Sequence, residues 1–154
     1  MELIPLQPEH CEAVAAIAKD SLPEHWSLEG IQDVLRYDSN IYYVARCQSD
    51  GNIAGFAGIM IIADEAELLN IAVQEEYRKK GIGGRLLEKM ITEAGRHGAR
   101  RLLLEVRISN ERAISLYRNR GFVKLGERKD YYRAPTEDAL VMECSLLQQE
   151  NNPL

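Results

Sequence analysis

The chain has few of the residues that build disulfide frameworks and metal sites. Its 154 residues include three cysteines and three histidines. Cys11, Cys47 and Cys144 lie far apart, and no two of them have the Cys-x-x-Cys spacing of a zinc or redox motif. Scattered cysteines in odd number favour reduced thiols, each buried as a small apolar side chain, and hence a cytoplasmic protein. The histidines are equally scattered and give no support for a metal site.

Long apolar runs are also missing. No stretch approaches the roughly 18 apolar residues that cross a membrane. The first residues, MELIPLQPEH, lack the cationic start and apolar segment of a secretory signal. Positive charge is not in excess either, because the formal net charge is −5. Direct binding of nucleic acid needs a basic face that neutralises phosphates, so the charge argues against that function and favours a cationic partner.

The remaining composition is that of a globular domain, with 45% hydrophobic and 28% charged residues. Helical spacing of apolar residues occurs near the start, after a glycine-rich stretch and again near residue 115, and strand-like runs lie between. These patterns predict an α/β domain over residues 1–147 and a frayed tail at 148–154. We expect a single mixed sheet flanked by helices, with the glycine-rich helix crossing between two parallel strands.

The stretch YRKKGIGGRLL, from Tyr77 to Leu87, has the composition of a phosphate-binding loop. A Walker loop is excluded because no Lys-Ser or Lys-Thr pair follows the glycines. A Rossmann loop fits poorly, since its third glycine is missing and seven residues separate Val73 from Gly81. The hexad from Arg78 to Gly83 fits R-x-x-G-x-G, in which free N–H groups at a helix start bind an anion. The alternative is an ordinary helix start with solvated cations.

Several longer motifs accompany this loop: NIAV before it, then LEVRISNERAISLYRNRGF, then YY and EDALVM. Together they resemble the GCN5-related N-acetyltransferases (GNAT), and within that superfamily the bacterial ribosomal-protein-alanine N-acetyltransferases. The resemblance implies the GNAT fold, with a mostly antiparallel twisted sheet, and acetyl-CoA as co-substrate. It also implies an acceptor with a free, basic N-terminus, the N-terminal alanine of a small-subunit ribosomal protein. The sequence departs from those relatives at His25-Trp26-Ser27, where Pro-Trp-Ser is usual, and in a slightly short segment after Tyr132.

The same resemblance implies roles for individual residues. Glu105 corresponds to the general base and Tyr117 to the general acid that protonates the leaving sulfur. Asn110 would contact the pantetheine arm as well as cap a helix, and Tyr131 and Tyr132 would line the acceptor groove. The residues expected to bind acetyl-CoA are Ile71, Ala72 and Val73 through their backbone, Arg78, Lys79, Lys80, Gly81, Ile82, Gly83 and Gly84 at the pyrophosphate, and Asn110 and Tyr117.

Each of these side chains also has a purely structural interpretation. Tyr117 shares a helix face with Ala113 and Ile114, which is typical of packing. Glu105, at the end of an apolar strand, fits a solvated or ion-paired carboxylate. A pair of tyrosines on a strand is equally natural as cross-strand packing.

An acidic cluster precedes the NIAV motif. Asp64 and Glu65, with Glu67, lie in the segment DEAE, which we interpret as a turn. We expect them, with Glu137 and Asp138, to attract a basic N-terminal peptide. A solvated hairpin turn is the alternative interpretation.

Three functional hypotheses follow. The first is acetyl transfer to the N-terminal alanine of a ribosomal protein. The second keeps the donor but sends the acetyl group to a lysine side chain or a small amine. The third is a CoA-binding sensor without turnover, against which the presence of both Glu105 and Tyr117 speaks. A Rossmann-like nucleotide binder is a distant alternative.

Overall fold

The computed structural model describes residues 1–22 and 27–146. The unusual His25-Trp26 pair and the tail at 148–154 therefore lie outside the described residues. The strands are β1 Glu2–Pro5, β2 Asn40–Arg46, β3 Ile53–Ile62, β4 Glu65–Val73, β5 Arg101–Arg107, β6 Val123–Tyr132 and β7 Glu137–Ser145. The helices are α1 Cys11–Ser21, α2 Leu28–Val34, α3 Ile82–Arg96 and α4 Glu111–Asn119.

The described strands form one mixed sheet. Their order is β1-β2-β3-β4-β5-β7-β6, and every neighbouring pair is antiparallel except β4 and β5. The connection between those two parallel strands contains α3, as expected of a crossover. The predicted α/β class and mixed sheet are confirmed.

Local sequence signals account for the ends of the two helices near the cleft. Gly81 precedes α3 with a φ of +81°, a left-handed conformation that glycine adopts without strain. Asn110 caps α4, because its side-chain oxygen accepts a hydrogen bond of 3.2 Å from the N–H of Ala113. Gly121 follows α4 with a φ of +94°.

The turn before β4 is shorter than predicted. Glu65 already belongs to β4, where it faces Ile62 of β3, so the turn consists of Ala63 and Asp64. The interpretation of DEAE as a turn was wrong for Glu65, Ala66 and Glu67, because all three pair with both β3 and β5. Polarity alone did not reveal that Glu65 and Glu67 lie on one face of a strand.

Two apolar clusters cover the two faces of the sheet. One joins α3 and α4 to side chains of β3, β4 and β5, including Leu102, Leu104 and Val106. The other joins α1 and α2 to side chains of β2, β3 and β4, including Tyr42 and Phe56. Because strand side chains alternate, Glu105 points away from the face that α3 and α4 cover.

The parallel pair β4 and β5 stays together over a short distance. Its register runs from Glu65 opposite Arg101 to Glu67 opposite Leu103 and then ends. The register with β3 shifts at the same level, since Gly58 faces Asn70 while Ile59 faces Leu68. This bulge leaves Leu69 as an extra residue in β4, and bulges bend a strand and increase its twist. The two strands therefore part, and a cleft opens between them.

A close contact inside the sheet supports one wall of this cleft. The ring of Tyr42 lies over Gly58, and its hydroxyl donates a hydrogen bond of 2.6 Å to Oδ1 of Asn70. A Cβ at Gly58 would come within 2.1 Å of the ring. Glycine at this position is thus required for the approach of Tyr42, which in turn orients Asn70.

We expect Gly58→Ala to lower the free energy of unfolding by about 2 kcal/mol, because the added methyl group displaces a fully packed ring. Urea denaturation followed by circular dichroism measures this change. Gly126→Ala is the matched control, since a Cβ there meets nothing within 4 Å. Equal stability of the two variants would show that the ring moves aside without cost.

Candidate active site

A groove of about 920 Å³ occupies the cleft between β4 and β5. It is bounded by the second half of β4, the loop before α3, the end of β5, the first turns of α4 and the end of β6. The predicted site residues that line it are Ile71, Ala72, Val73, Arg78, Lys79, Gly81, Ile82, Gly83, Gly84, Glu105, Asn110, Tyr117, Tyr131 and Tyr132. Lys80, Asp64 and Glu65 do not line it.

The edge of β4 that faces the groove can bind a ligand through its backbone. Ile71, Ala72 and Val73 pair with β3 on one side. On the β5 side, the described residues provide no strand partner beyond Glu67. Backbone N–H and C=O groups that no strand satisfies are available to an extended ligand or to a polarised carbonyl.

The loop before α3 presents cations and free amide groups. The N–H groups of Ile82, Gly83 and Gly84, in the first turn of α3, have no acceptor within the helix. The helix dipole favours an anion at this end. Arg78 is fixed by two hydrogen bonds, from Nε to the Val73 carbonyl at 3.0 Å and from Nη2 to Ser21 Oγ at 3.3 Å. A charged side chain held in this way contributes a positive charge at a defined position.

Two residues of the loop contact other parts of the protein. Nζ of Lys80 lies over the ring of Tyr77, 5.7 Å from its centroid, outside the groove. Gly84 is buried, and a Cβ there would meet Nη2 of Arg120 at 2.1 Å. Arg120 itself bonds to Glu88 at 3.1 Å. Gly84 thus makes room for a protein side chain as well as bordering the groove.

Tyr117 reaches the groove from the face covered by α3 and α4. It is 5% exposed, and its ring lies 5.7 Å from that of Phe122. Desolvation raises the pKa of its phenol to about 12. The hydroxyl therefore stays protonated at neutral pH and can act as a proton donor.

Glu105 reaches the groove from the opposite face of the sheet. Its side chain is 17% exposed, and Oε2 lies 2.8 Å from Nε of Arg128 on β6. Glu67 and Tyr131 also lie within hydrogen-bonding reach of this carboxylate. Burial and the neighbouring charge of Glu105 raise the pKa of Glu67 above its ordinary value.

Sequence reasoning singled out neither Arg128 nor the contact between Glu67 and Glu105. The signal for that contact is the strand register, because Glu67 faces Leu103 and Glu105 follows two residues later on the same side. That register depends on which strands are neighbours, which the local sequence does not state.

The two tyrosines at the end of β6 lie at the groove's rim. Their rings meet edge to face with centroids 5.0 Å apart, and the guanidinium of Arg107 lies 4.5 Å from the Tyr132 ring centroid. Arg107 also donates to the carbonyls of Arg133 and Pro135, each at 2.9 Å. These contacts hold the turn between β6 and β7 against β5.

Of the acidic residues expected to attract a peptide, Glu67 lines the groove and the other four do not. Asp64 and Glu65 border a separate cavity of about 300 Å³ at the far end of β4, where Glu65 accepts a hydrogen bond of 2.6 Å from Nε of Arg101. Glu137 accepts from the backbone N–H of Ser109 at 2.8 Å and from Arg107. Hydrogen bonds from Ser109 and Arg107 hold its pKa below the ordinary value.

Within residues 1–22 and 27–146, no group of three or more His, Cys, Asp or Glu side chains is placed to hold a metal ion. No helix in the same residues is long and apolar enough to span a bilayer.

Comparison with known proteins identifies the family. The sequence profile of the acetyltransferase (GNAT) family matches residues 11–122, which is more than half of the chain. The chain belongs to the acetyltransferase (GNAT) family.

Individual relatives are consistent with this assignment. The acetyltransferase is 36% identical over 134 residues to a Bacillus subtilis protein provisionally described as a ribosomal protein bS18-alanine N-acetyltransferase, across 87% of this chain and 88% of that protein. The Escherichia coli enzyme of that name is 44% identical over 97 residues, which cover 60% of this chain and 64% of the enzyme. The crystal structure of the Escherichia coli ribosomal-protein-S18-alanine N-acetyltransferase superposes with a TM-score of 0.85 at 32% identity, covering 94% of this chain and 92% of that one.

The predictions of a GNAT fold and of an acetyl-CoA-dependent N-acetyltransferase are thereby confirmed. The groove suits this donor, because free amides at the start of α3 and the cations Arg78, Lys79 and Arg112 border it. The acceptor and the roles of individual side chains stay predictions.

We expect Arg78→Gln to weaken the binding of CoA to this acetyltransferase about ten-fold, since a charge-assisted contact is lost. Calorimetric titration with CoA measures the change. Lys80→Gln removes the same charge from the same loop but outside the groove, so its Kd should stay within about two-fold of the original. Equal weakening in both variants would indicate diffuse attraction by the loop rather than a contact at Arg78.

Proposed function

We propose that this acetyltransferase transfers an acetyl group to the N-terminal alanine of a ribosomal protein, in the cytoplasm. The observation that carries the chemistry is the position of Glu105 and Tyr117, which reach one groove from opposite faces of the sheet. A carboxylate and a neutral phenol on either side of one channel suit a direct transfer. The names of the similar proteins support the choice of acceptor.

The amine has to be neutral before it can attack. An α-amino group has a pKa of about 7.7 to 8, so at neutral pH most acceptor molecules arrive protonated. In the proposed mechanism, Glu105 accepts the proton from the ammonium nitrogen. Arg128 keeps its hydrogen bond to Oε2, which leaves the other carboxylate oxygen to receive that proton.

The other residues position the donor and complete the proton balance. Acetyl-CoA supplies an acetyl thioester whose C–S bond breaks as the nitrogen–carbon bond forms. Backbone groups of Ile71, Ala72 and Val73 orient the thioester, and the loop from Arg78 to Gly84 holds the pyrophosphate. Tyr117 gives its hydroxyl proton to the leaving sulfur. The nitrogen, cationic after the attack, gives up its second proton to solvent, from which Tyr117 regains one. Glu105 also releases its proton to solvent, so the reaction as a whole releases one proton. Asn110 caps α4 and so holds the helix that carries Tyr117.

The acceptor is tested by incubating the purified protein with acetyl-CoA and short peptides. One peptide has the N-terminal sequence of a ribosomal protein beginning with alanine, and a second is the same peptide with a blocked N-terminus and a lysine. Mass spectrometry locates the acetyl group, and we expect it only on the free α-amine. Labelling of lysine or of small amines alone would contradict the proposal, and CoA binding without any labelling would favour the sensor.

The two catalytic side chains are tested by Glu105→Gln and Tyr117→Phe. We expect each to lower kcat about 10²- to 10³-fold, because each removes one proton transfer. The Glu105→Gln defect should be largest at low pH, where nearly all of the amine is protonated. The Kd for CoA should stay the same, since neither change alters the pyrophosphate loop. Full activity of Tyr117→Phe would show that Tyr117 serves only in packing.

A further inference from the structure

The groove holds a second carboxylate whose position has no use in the mechanism above. Glu67 lies on β4 opposite Leu103, at the last paired level before the cleft opens. Glu105 follows Leu103 by two residues on the same face, so the two carboxylates face each other across the mouth of the cleft. They lie within hydrogen-bonding reach of one another.

The charges around this pair do not balance. Arg128 and Tyr131 on β6 act on this pair. Arg101 lies on the same face two residues before Leu103, and its charge is bonded to Glu65 and Glu143. Arg128 bonds to Glu105 and its side chain is 60% exposed. Two carboxylates against one guanidinium leave one negative charge, which either a shared proton or an incoming cation can neutralise.

In the proposed reaction, the protonated acceptor amine is a cation that approaches Glu67 and Glu105. The acceptor amine arrives mostly as an ammonium group with three N–H donors, and it has to come close to Glu105. The phenol of Tyr117, 5% exposed, lines the same groove without a hydrogen-bond partner among the described residues. Polar groups therefore line this groove from both faces of the sheet.

We propose that Glu67 is a specificity-determining residue, which together with Glu105 binds the ammonium form of the acceptor amine in place of a proton shared by the pair. This inference rests on the proposed function only in that the acceptor is an amine. Glu67 binds and positions the ammonium group, and Glu105 then removes its proton.

The proposal has a defined pH dependence. Burial and the charge of Glu105 raise the pKa of Glu67, so its charge is lost at a higher pH than that of an ordinary glutamate as the pH falls. The ammonium group binds the ionised pair, so acceptor affinity should fall in the same direction. A proton is released on binding in this range, because proton and ammonium compete for one site.

The test measures peptide affinity by calorimetry in the presence of CoA, between about pH 5.5 and 7.5, where amines are mostly protonated. The probes are an alanine-initiated peptide with a free N-terminus and its N-acetylated form. We expect Glu67→Gln to raise the Kd of the free peptide about ten-fold at neutral pH and to flatten its pH dependence. The Kd of the acetylated peptide should not change.

Glu143→Gln is the matched control. Glu143 faces Leu103 from the other side, on β7, and pairs with Arg101 at 3.0 Å outside the groove. This variant should bind both peptides as the original protein does. Glu67→Asp retains the charge and should retain the pH dependence with weaker binding, and an unchanged Kd for CoA shows that each variant is folded.

The outcomes separate this inference from the proposed function. Loss of affinity for free and acetylated peptides alike, or no loss at all, would overturn the role of Glu67 whatever the turnover. A free peptide that binds with the expected pH dependence but is not acetylated would overturn the proposed function and leave the ammonium site standing.

Discussion

The loss of pairing between β4 and β5 is the constraint on which the rest of the structure depends. Two parallel strands that stayed paired would form a continuous sheet, and no ligand could reach from one face to the other. Pairing ends after Glu67 and Leu103, and the bulge at Leu69 turns β4 away. The backbone of β4 beyond Glu67 has no strand partner on the β5 side, so the same event opens the channel and supplies its polar wall.

The groove has two regions of opposite charge. Amide groups at the start of α3 and the cations Arg78 and Lys79 border one region, which suits a pyrophosphate. In the other region, Glu67 and Glu105 provide negative charge, which suits an ammonium group. A net charge of −5 is therefore compatible with an anionic donor, because the local field at each mouth differs from the average.

The sequence predicts the parts of the site that depend on neighbouring residues. A helix start with Gly81, a cap at Asn110 and an inward tyrosine at Tyr117 are all local features. The contact of Glu67 with Glu105 joins residues that are distant in the chain and needs the order and register of strands. Glu65 shows the opposite error: it is close to the NIAV motif in sequence, but it borders the separate cavity beside Arg101 and does not line the groove.

The burial of Tyr117 sets a condition on the proposed proton transfer. A phenol with a pKa of about 12 is a poor acid for a thiolate in water, whose pKa is near 8.5. The sulfur, however, leaves inside the same groove, where desolvation raises the pKa of a thiol as it raises that of a phenol. The direction of proton transfer depends on the difference between the pKa of the phenol and the pKa of the thiol. Inside the groove this difference is smaller than a comparison of the buried phenol with a thiol in water suggests. Burial also keeps the phenol protonated until a negative sulfur forms beside it, so the proton is held where the reaction needs it.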